Sequence, residues 1–311
     1  MEAFLICRMD LNDAGRKIEF GNLEMLARQA VEGFIIGLHK SPFHGFSVEF
    51  AEHQHYNRGD STKNIDWKVY ARSEKLFVKK FEEETNLRCQ LVIDCSSSMY
   101  FPKEGRNKFE FSCLSAAALM NLLKKQRDAF GLSLFDEEVI EHLKPRSSNK
   151  HYKLLIAALE RQLQKSNEER GSRVSQALHQ IAESIHRRSL VIVFSDMMEN
   201  REQAEELFSA LQHLRYNKHE VILFHTLDYK RELEFDYPDR PYKFVDMETG
   251  ESMQLHPKEI KANYQEKMTA FLKEIELKCL QYKIDFVPAD ISQGVQKVLQ
   301  TYLVKRRKMN V

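Results

Sequence analysis

The chain has 311 residues, enough for one large α/β domain plus a smaller appendage. Lys+Arg 47 against Asp+Glu 46 gives a formal net charge of +1, so no global field selects nucleic acid or an acidic partner. Charged residues at 30% and hydrophobic ones at 42% describe an ordinary globular chain, and no apolar run reaches the length of a membrane span. The start, Met1-Glu2-Ala3-Phe4-Leu5-Ile6-Cys7, has neither the basic stretch nor the long apolar region of a signal peptide. The 5 cysteines form no Cys-x-x-Cys pair, and an odd count suits a reducing compartment. The expectation is a soluble cytoplasmic protein without membrane insertion.

A helix is predicted over 22–39, where Leu23, Leu26, Ala27, Ala30, Val31 and Phe34 follow the helical apolar period and Asn22 can cap the start. Ser41-Pro42-Phe43-His44-Gly45 ends it, and short extended segments follow up to Phe81, with a turn at Asn57-Arg58-Gly59-Asp60. Residues 1–86 therefore read as an N-terminal helix/strand segment packed on a main domain of 87–311. In this segment Arg72 is expected to pair with a carboxylate, and Trp67, the only tryptophan, to anchor the segment on the domain. His53 and His55 would share one side of a strand, but no third ligand with recognisable spacing joins them. Glu82-Glu83-Glu84 reads as a solvated edge.

From Leu87 onward strands alternate with helices. Strands are predicted at 87–93, 128–136, 190–195, 221–226 and 284–288, with 138–143 as an antiparallel return. Helices are predicted at 109–125, 152–163, 174–186, 203–214 and 257–282, the last opened by Pro257, and Asp290 is placed to cap a final one. Such alternation implies a mostly parallel sheet with helices on both faces. A polar and aromatic stretch near 229–256 reads as a hairpin insertion turning at Thr249-Gly250.

Chemistry concentrates where the first and third parallel strands end. Leu91-Val92-Ile93 runs into Asp94-Cys95-Ser96-Ser97-Ser98, and Leu190-Val191-Ile192-Val193-Phe194 runs into Ser195-Asp196. Asp94, Ser96 and Ser98 stand at alternate positions, so one loop can turn three oxygens into one pocket. Carboxylate and hydroxyl oxygens are hard ligands, suited to Mg²⁺ or Mn²⁺. In open parallel sheets, ligands collect outside the carboxyl ends of the strands, where these loops would meet. The bland alternative is that Asp94 and the serines cap the following helix.

Asp94-x-Ser96-x-Ser98 with a late Asp196 resembles the metal-ion-dependent adhesion site of von Willebrand factor A-like domains. The whole chain resembles the bacterial family fifty-eight of the domains of unknown function, through Gly45-x-x-x-Glu49-Phe50-x-Glu52, Tyr56-x-x-Gly59-Asp60, Ile65-Asp66-Trp67-Lys68, Ala71-Arg72, Lys80-x-x-Glu83-Glu84-Thr85-Asn86 and the Asp94 motif. The resemblance implies an α/β, von Willebrand factor A-like (Rossmann-like) fold with metal ligands Asp94, Ser96, Ser98, Ser172 and Asp196. Ser172, in Gly171-Ser172-Arg173, stands where such sites carry a threonine. Neutral hydroxyl ligands leave Mg²⁺ electrophilic enough to accept a carboxylate from another molecule. The implied function is a non-enzymatic, metal-dependent protein-interaction module that receives an acidic side chain. The resemblance also implies partnership with a MoxR-type AAA+ ATPase in complex assembly or maturation.

Two alternatives stay open. A haloacid-dehalogenase-like phosphohydrolase would place a nucleophile at Asp94, but it needs an acidic residue at 96, where serine cannot protonate a leaving oxygen near neutral pH. A metal-free scaffold with a degenerate site is the other. No Gly-x-Ser-x-Gly elbow, Walker-type loop or dinucleotide fingerprint is present.

Overall fold

The computed structural model describes residues 22–35, 49–56, 65–82, 87–165, 174–186, 188–198, 201–246 and 250–309. In chain order, α1 (Leu23–Ile35), β1 (Glu49–His55), α2 (Trp67–Ser73) and β2 (Phe77–Glu82) come first. Next are β3 (Arg88–Asp94), α3 (Lys108–Lys125), β4 (Ala129–Phe135), β5 (Val139–Arg146), α4 (Asn149–Leu163) and α5 (Val174–Ser184). β6 (Leu190–Ser195), α6 (Arg201–Tyr216), β7 (Glu220–Leu227), β8 (Tyr242–Val245) and β9 (Ser252–Leu255) follow, then α7 (Pro257–Gln281), β10 (Asp285–Asp290) and α8 (Val295–Met309). The chain divides into two compact units, one of residues 43–87 and one that joins α1 to everything from Arg88 onward.

The large unit is built on a six-stranded sheet in the order β10-β7-β6-β3-β4-β5. All neighbours are parallel except β5, which returns antiparallel to β4. This is the expected α/β architecture. Central strands buried on both faces need continuous apolar sequence, and β6 is buried at every position. Alternate side chains then serve opposite layers. Val92, Val191, Val193, Val221 and Leu223 pack with apolar residues of α5, α6 and α7. On the other face Phe194 stacks on Phe224, which meets Tyr302 of α8 edge-on. Helix α3 lies in that second layer among α1, α4 and α8. Every residue of it from Phe111 to Leu123 is buried, the state expected of a helix that is small and apolar all round. The four described cysteines, Cys89, Cys95, Cys113 and Cys279, are buried, and none forms a disulfide with another.

Within the small unit β1 and β2 pair antiparallel, and α2 lies between them in sequence. Asp66 caps α2, its Oδ1 accepting from the Lys68 and Val69 amides at 3.0 and 3.3 Å. Trp67 is 61% exposed and meets Tyr70 edge-on. Its place at the first turn of a short helix that buries none of its residues explains this. His55 is exposed and tilts against Phe77. The turn expected at Asn57–Asp60 lies outside the described residues. Asp290 caps not the final helix, as expected, but a 3₁₀ turn, Ile291–Gln293, accepting from the Ser292 amide. Gly294 at φ 79 then redirects the chain into α8.

His219, fully buried before β7, accepts the Ser189 amide at Nδ1, which requires a ring lone pair. Burial, with the charges of His186 and His213, pushes its pKa down to about 4. A lowered folded value means that stability is intact above the unfolded value of 6.5 and is lost as pH falls toward 4. The expected loss for this one group is on the order of 3 kcal/mol. Urea midpoints at pH 7 and pH 4.5 check it: His219→Gln should flatten the difference, and an unchanged slope contradicts the assignment.

Candidate metal-binding site

The site begins with strand register. β3 and β6 run parallel with Ile93 opposite Phe194, so Asp94 arrives level with Ser195 as both strands end. The Ser195 hydroxyl donates to Asp94 Oδ2 at 2.6 Å, and the Ser96 amide donates to Oδ1 at 2.8 Å. The chain leaves β3 toward β4 on one side, while β6 lies on the other. Asp94 and Asp196 thus flank the switch point of the sheet, where ligands of open α/β folds bind.

After Asp94 the loop forms a single 3₁₀ turn, Ser97–Tyr100. Ser96 stands at the cap position, but its hydroxyl makes no capping bond. It lies 3.2 Å from the Ser98 hydroxyl instead, so the capping alternative does not account for the two serines. Asp196 follows β6, and its Oδ1 accepts the Met198 amide at 3.2 Å. Met197 turns this loop through φ 53, a left-handed conformation that a non-glycine residue adopts at a cost of order 1 kcal/mol. The turn also lets the Met197 amide reach Ser195 Oγ at 3.0 Å. On the neighbouring strand His225, level with Ser195, places Nε2 2.8 Å from the Asp196 carbonyl. Burial pushes its pKa down to about 4, so the neutral ring donates that bond. Its Nδ1 is buried without a hydrogen-bond partner among the described residues.

The other oxygen of Asp196 has a partner that sequence reasoning missed. Lys108, the first residue of α3, is fully buried and donates to Asp196 Oδ2 at 2.6 Å and to Glu232 Oε1 at 2.5 Å. Glu232 comes from a π-type turn, Tyr229–Leu233, just after β7, and its second oxygen accepts the Asp228 amide at 2.7 Å. One signal for Lys108 was available: a cation in the first turn of a helix opposes the macrodipole. A lysine kept there points to a local carboxylate. No comparable signal marked Glu232, which sits in a charged run, Lys230-Arg231-Glu232.

Charge divides unevenly over the group. Burial, and then repulsion from Asp196, raises Asp94 to about 6 against the bonds from Ser195 and Ser96. Burial also works against ionised Asp196, but the Lys108 ammonium outweighs it and holds Asp196 below the usual carboxylate range. Burial raises Glu232 despite Lys108. For Lys108 burial acts downward, and the two carboxylates overcome it and raise its pKa. Asp94 favours folding fully only below its ordinary 3.8, and this contribution is lost as pH rises through 6, opposite to the two histidines.

The structure thus brings together Asp94, Ser96, Ser98 and Asp196 of the expected ligand set, while Ser172 lies outside the described residues. Oxygen donors alone, two of them adjacent hydroxyls not spent on capping, fit a hard divalent cation in kind. Among the described residues no group of three or more His, Cys, Asp or Glu is arranged to hold a metal.

An open α/β sheet with hydroxyl- and carboxylate-bearing loops at its switch point defines the general class. The chain belongs to the family described as "Protein of unknown function DUF58", whose model matches residues 52–273. Uncharacterized proteins of Mycobacterium bovis and Mycobacterium tuberculosis are each 23% identical over 191 residues, covering 61% of this chain and 60% of the relative. The chain therefore spans about 60% of the length of these relatives. Among solved structures it is similar to the conserved hypothetical protein BatB from Bacteroides thetaiotaomicron, at 15% identity and a TM-score of 0.39 over 71% of this chain and 99% of that one. An aerotolerance-related membrane protein from Bacteroides fragilis gives 16% identity and a TM-score of 0.40 over 70% and 99%. Among the described residues of this chain, no helix is long and apolar enough to cross a membrane.

Proposed function

We propose that this chain is a non-enzymatic interaction module that recognises an acidic side chain of a partner protein through Mg²⁺ or Mn²⁺. Ser96, Ser98 and Asp196 would hold the ion, with Asp94 behind them and Ser172 as a further donor. The observation that carries this reading is the meeting of the Ser96 and Ser98 hydroxyls, 3.2 Å apart, beside the ends of two adjacent parallel strands. Bound there, the cation would supply an electrophilic position for a carboxylate. The protein's own part is to orient the donors: the Ser96 amide and the Ser195 hydroxyl fix both oxygens of Asp94, and the Met198 amide fixes Asp196. Serine at 96 leaves the Asp94 loop without the acid that phosphohydrolase chemistry of this type requires. The family resemblance supports a MoxR-type AAA+ ATPase as the partner, and the odd cysteine count without a Cys-x-x-Cys pair suits the cytoplasm as the setting.

Thermal unfolding of wild type and Asp94→Ala, with chelator and across a Mg²⁺ titration, tests the metal. A ligand that binds only the native state adds about 2.7 kcal/mol at a hundredfold excess over Kd. Wild type should rise with metal and Asp94→Ala should not, and capture of a MoxR-type ATPase should be lost in chelator. Indifference of wild type to millimolar Mg²⁺ and Mn²⁺ would sink the metal and leave the metal-free scaffold.

A further inference from the structure

Lys108 is the unusual member of this site. A lysine side chain that is completely shielded from solvent is rare unless paired, and this one is paired twice, to carboxylates from two separate segments. Asp196 Oδ2 lies at 2.6 Å on one side and Glu232 Oε1 at 2.5 Å on the other, and the Phe101 ring centroid lies 5.8 Å from the nitrogen. Glu232 is itself held by the Asp228 amide, and Asp228 caps the turn that carries it through the Arg231 amide. The segment following β7 thus supplies a carboxylate whose geometry fits holding Lys108. The carboxylate shared with Lys108 is the same one that would ligate a divalent ion.

We propose that Lys108 is a built-in cation that competes with a divalent ion for Asp196, so that the Lys108–Glu232 pair sets the metal affinity of the site. This rests on the metal-dependent reading above. The ammonium satisfies Asp196 when no ion is bound, so the loop ends stay ordered without metal. A divalent ion that engages Asp196 must share it with the ammonium or displace that ammonium toward Glu232. Either event places like charges together in a site with little water to screen them. The interaction module is thereby set to take its ion weakly by itself, and a partner carboxylate completing the coordination would favour the exchange.

The test is Mn²⁺ binding to the full chain, followed by electron paramagnetic resonance of the free ion, for wild type, Lys108→Met, Lys108→Met with Asp94→Ala, and Lys108→Met with Glu232→Gln. Circular dichroism in chelator reports folding of each. Lys108→Met should bind at least ~5-fold more tightly than wild type, and Asp94→Ala should abolish the gain. A smaller gain with wild type still binding overturns the role of Lys108 and leaves the metal-dependent reading intact. Binding that survives Asp94→Ala lies elsewhere and also overturns it. No binding by either protein overturns both ideas. Binding by Lys108→Met but not by wild type supports the lysine as the competing cation and sinks metal dependence of the natural protein. If Lys108→Met does not fold in chelator, the double variant with Glu232→Gln is compared with Glu232→Gln alone, and the same criterion applies.

Discussion

In chelator, Lys108→Met is expected to be about 3–5 kcal/mol less stable than wild type, the usual range for breaking a buried ion pair by removing one partner. Methionine keeps much of the stem volume, so the loss reports charge rather than packing. Without the ammonium, Asp196 and Glu232 remain buried with the Met198 and Asp228 amides but no cation to offset their desolvation, and Asp94 adds a third carboxylate nearby. Protonation of one or more of them would relieve this, so the deficit should shrink in acid. The deficit should also shrink when Glu232→Gln is added, because the glutamine is neutral and one of the stranded charges is gone. Urea unfolding of the four proteins in this cycle measures the coupling. A loss under about 1 kcal/mol would mean that Lys108 behaves as an exposed pair does.

The second large effect lies away from the site, where β5 crosses β4. The pairing of these strands shifts between Phe130 and Leu132, and Gly131 sits at the irregularity. A methyl group there would come within 2.5 Å of the Leu143 carbonyl oxygen and 2.8 Å of the Pro145 nitrogen, as well as striking Gln90 Oε1. Two of these obstacles are backbone of the partner strand, which cannot swing aside as a side chain can. The third, Gln90, donates to Ser133 Oγ at 2.8 Å, and Ser133 Oγ lies 2.9 Å from His142 Nδ1. Moving it disturbs a buried polar chain across three strands. Gly131→Ala is therefore expected to cost about 3 kcal/mol, at the upper end for overpacking. Gly250→Ala is the contrast: it meets open space but sits at φ +72, and should cost only about 1 kcal/mol. Equal losses in urea midpoints for the two variants would refute the steric account.

The two halves of the candidate site differed in how far they could be read. Asp94, Ser96, Ser98 and Asp196 were legible because polar residues abruptly end two apolar strands, and parallel sheets place such ends on one rim. Their partners were not. Ser195 was visible as part of the second strand end, but its bond to Asp94 depends on the β3–β6 register, which links residues 101 apart in sequence. Glu232 is 124 residues from Lys108 and belongs to a turn that no local pattern announces.

The order and type of elements in the large unit follow from the sequence by itself. Apolar runs of strand length alternate with amphipathic helical stretches, Pro257 opens α7, and an open α/β sheet is the arrangement that covers both faces of such strands. The oxygen donors at the loop ends follow as well, because they are local to those strands. The tertiary structure alone decided that a lysine is buried against Asp196. That outcome depends on long-range geometry: β6, the start of α3 and the turn after β7 bring one ammonium and two carboxylates together away from water. Chain periodicity carries the hydrophobic effect, which is non-directional and repeats along an element. Pairing of buried charges depends on individual distances, and those are set only when the chain closes on itself.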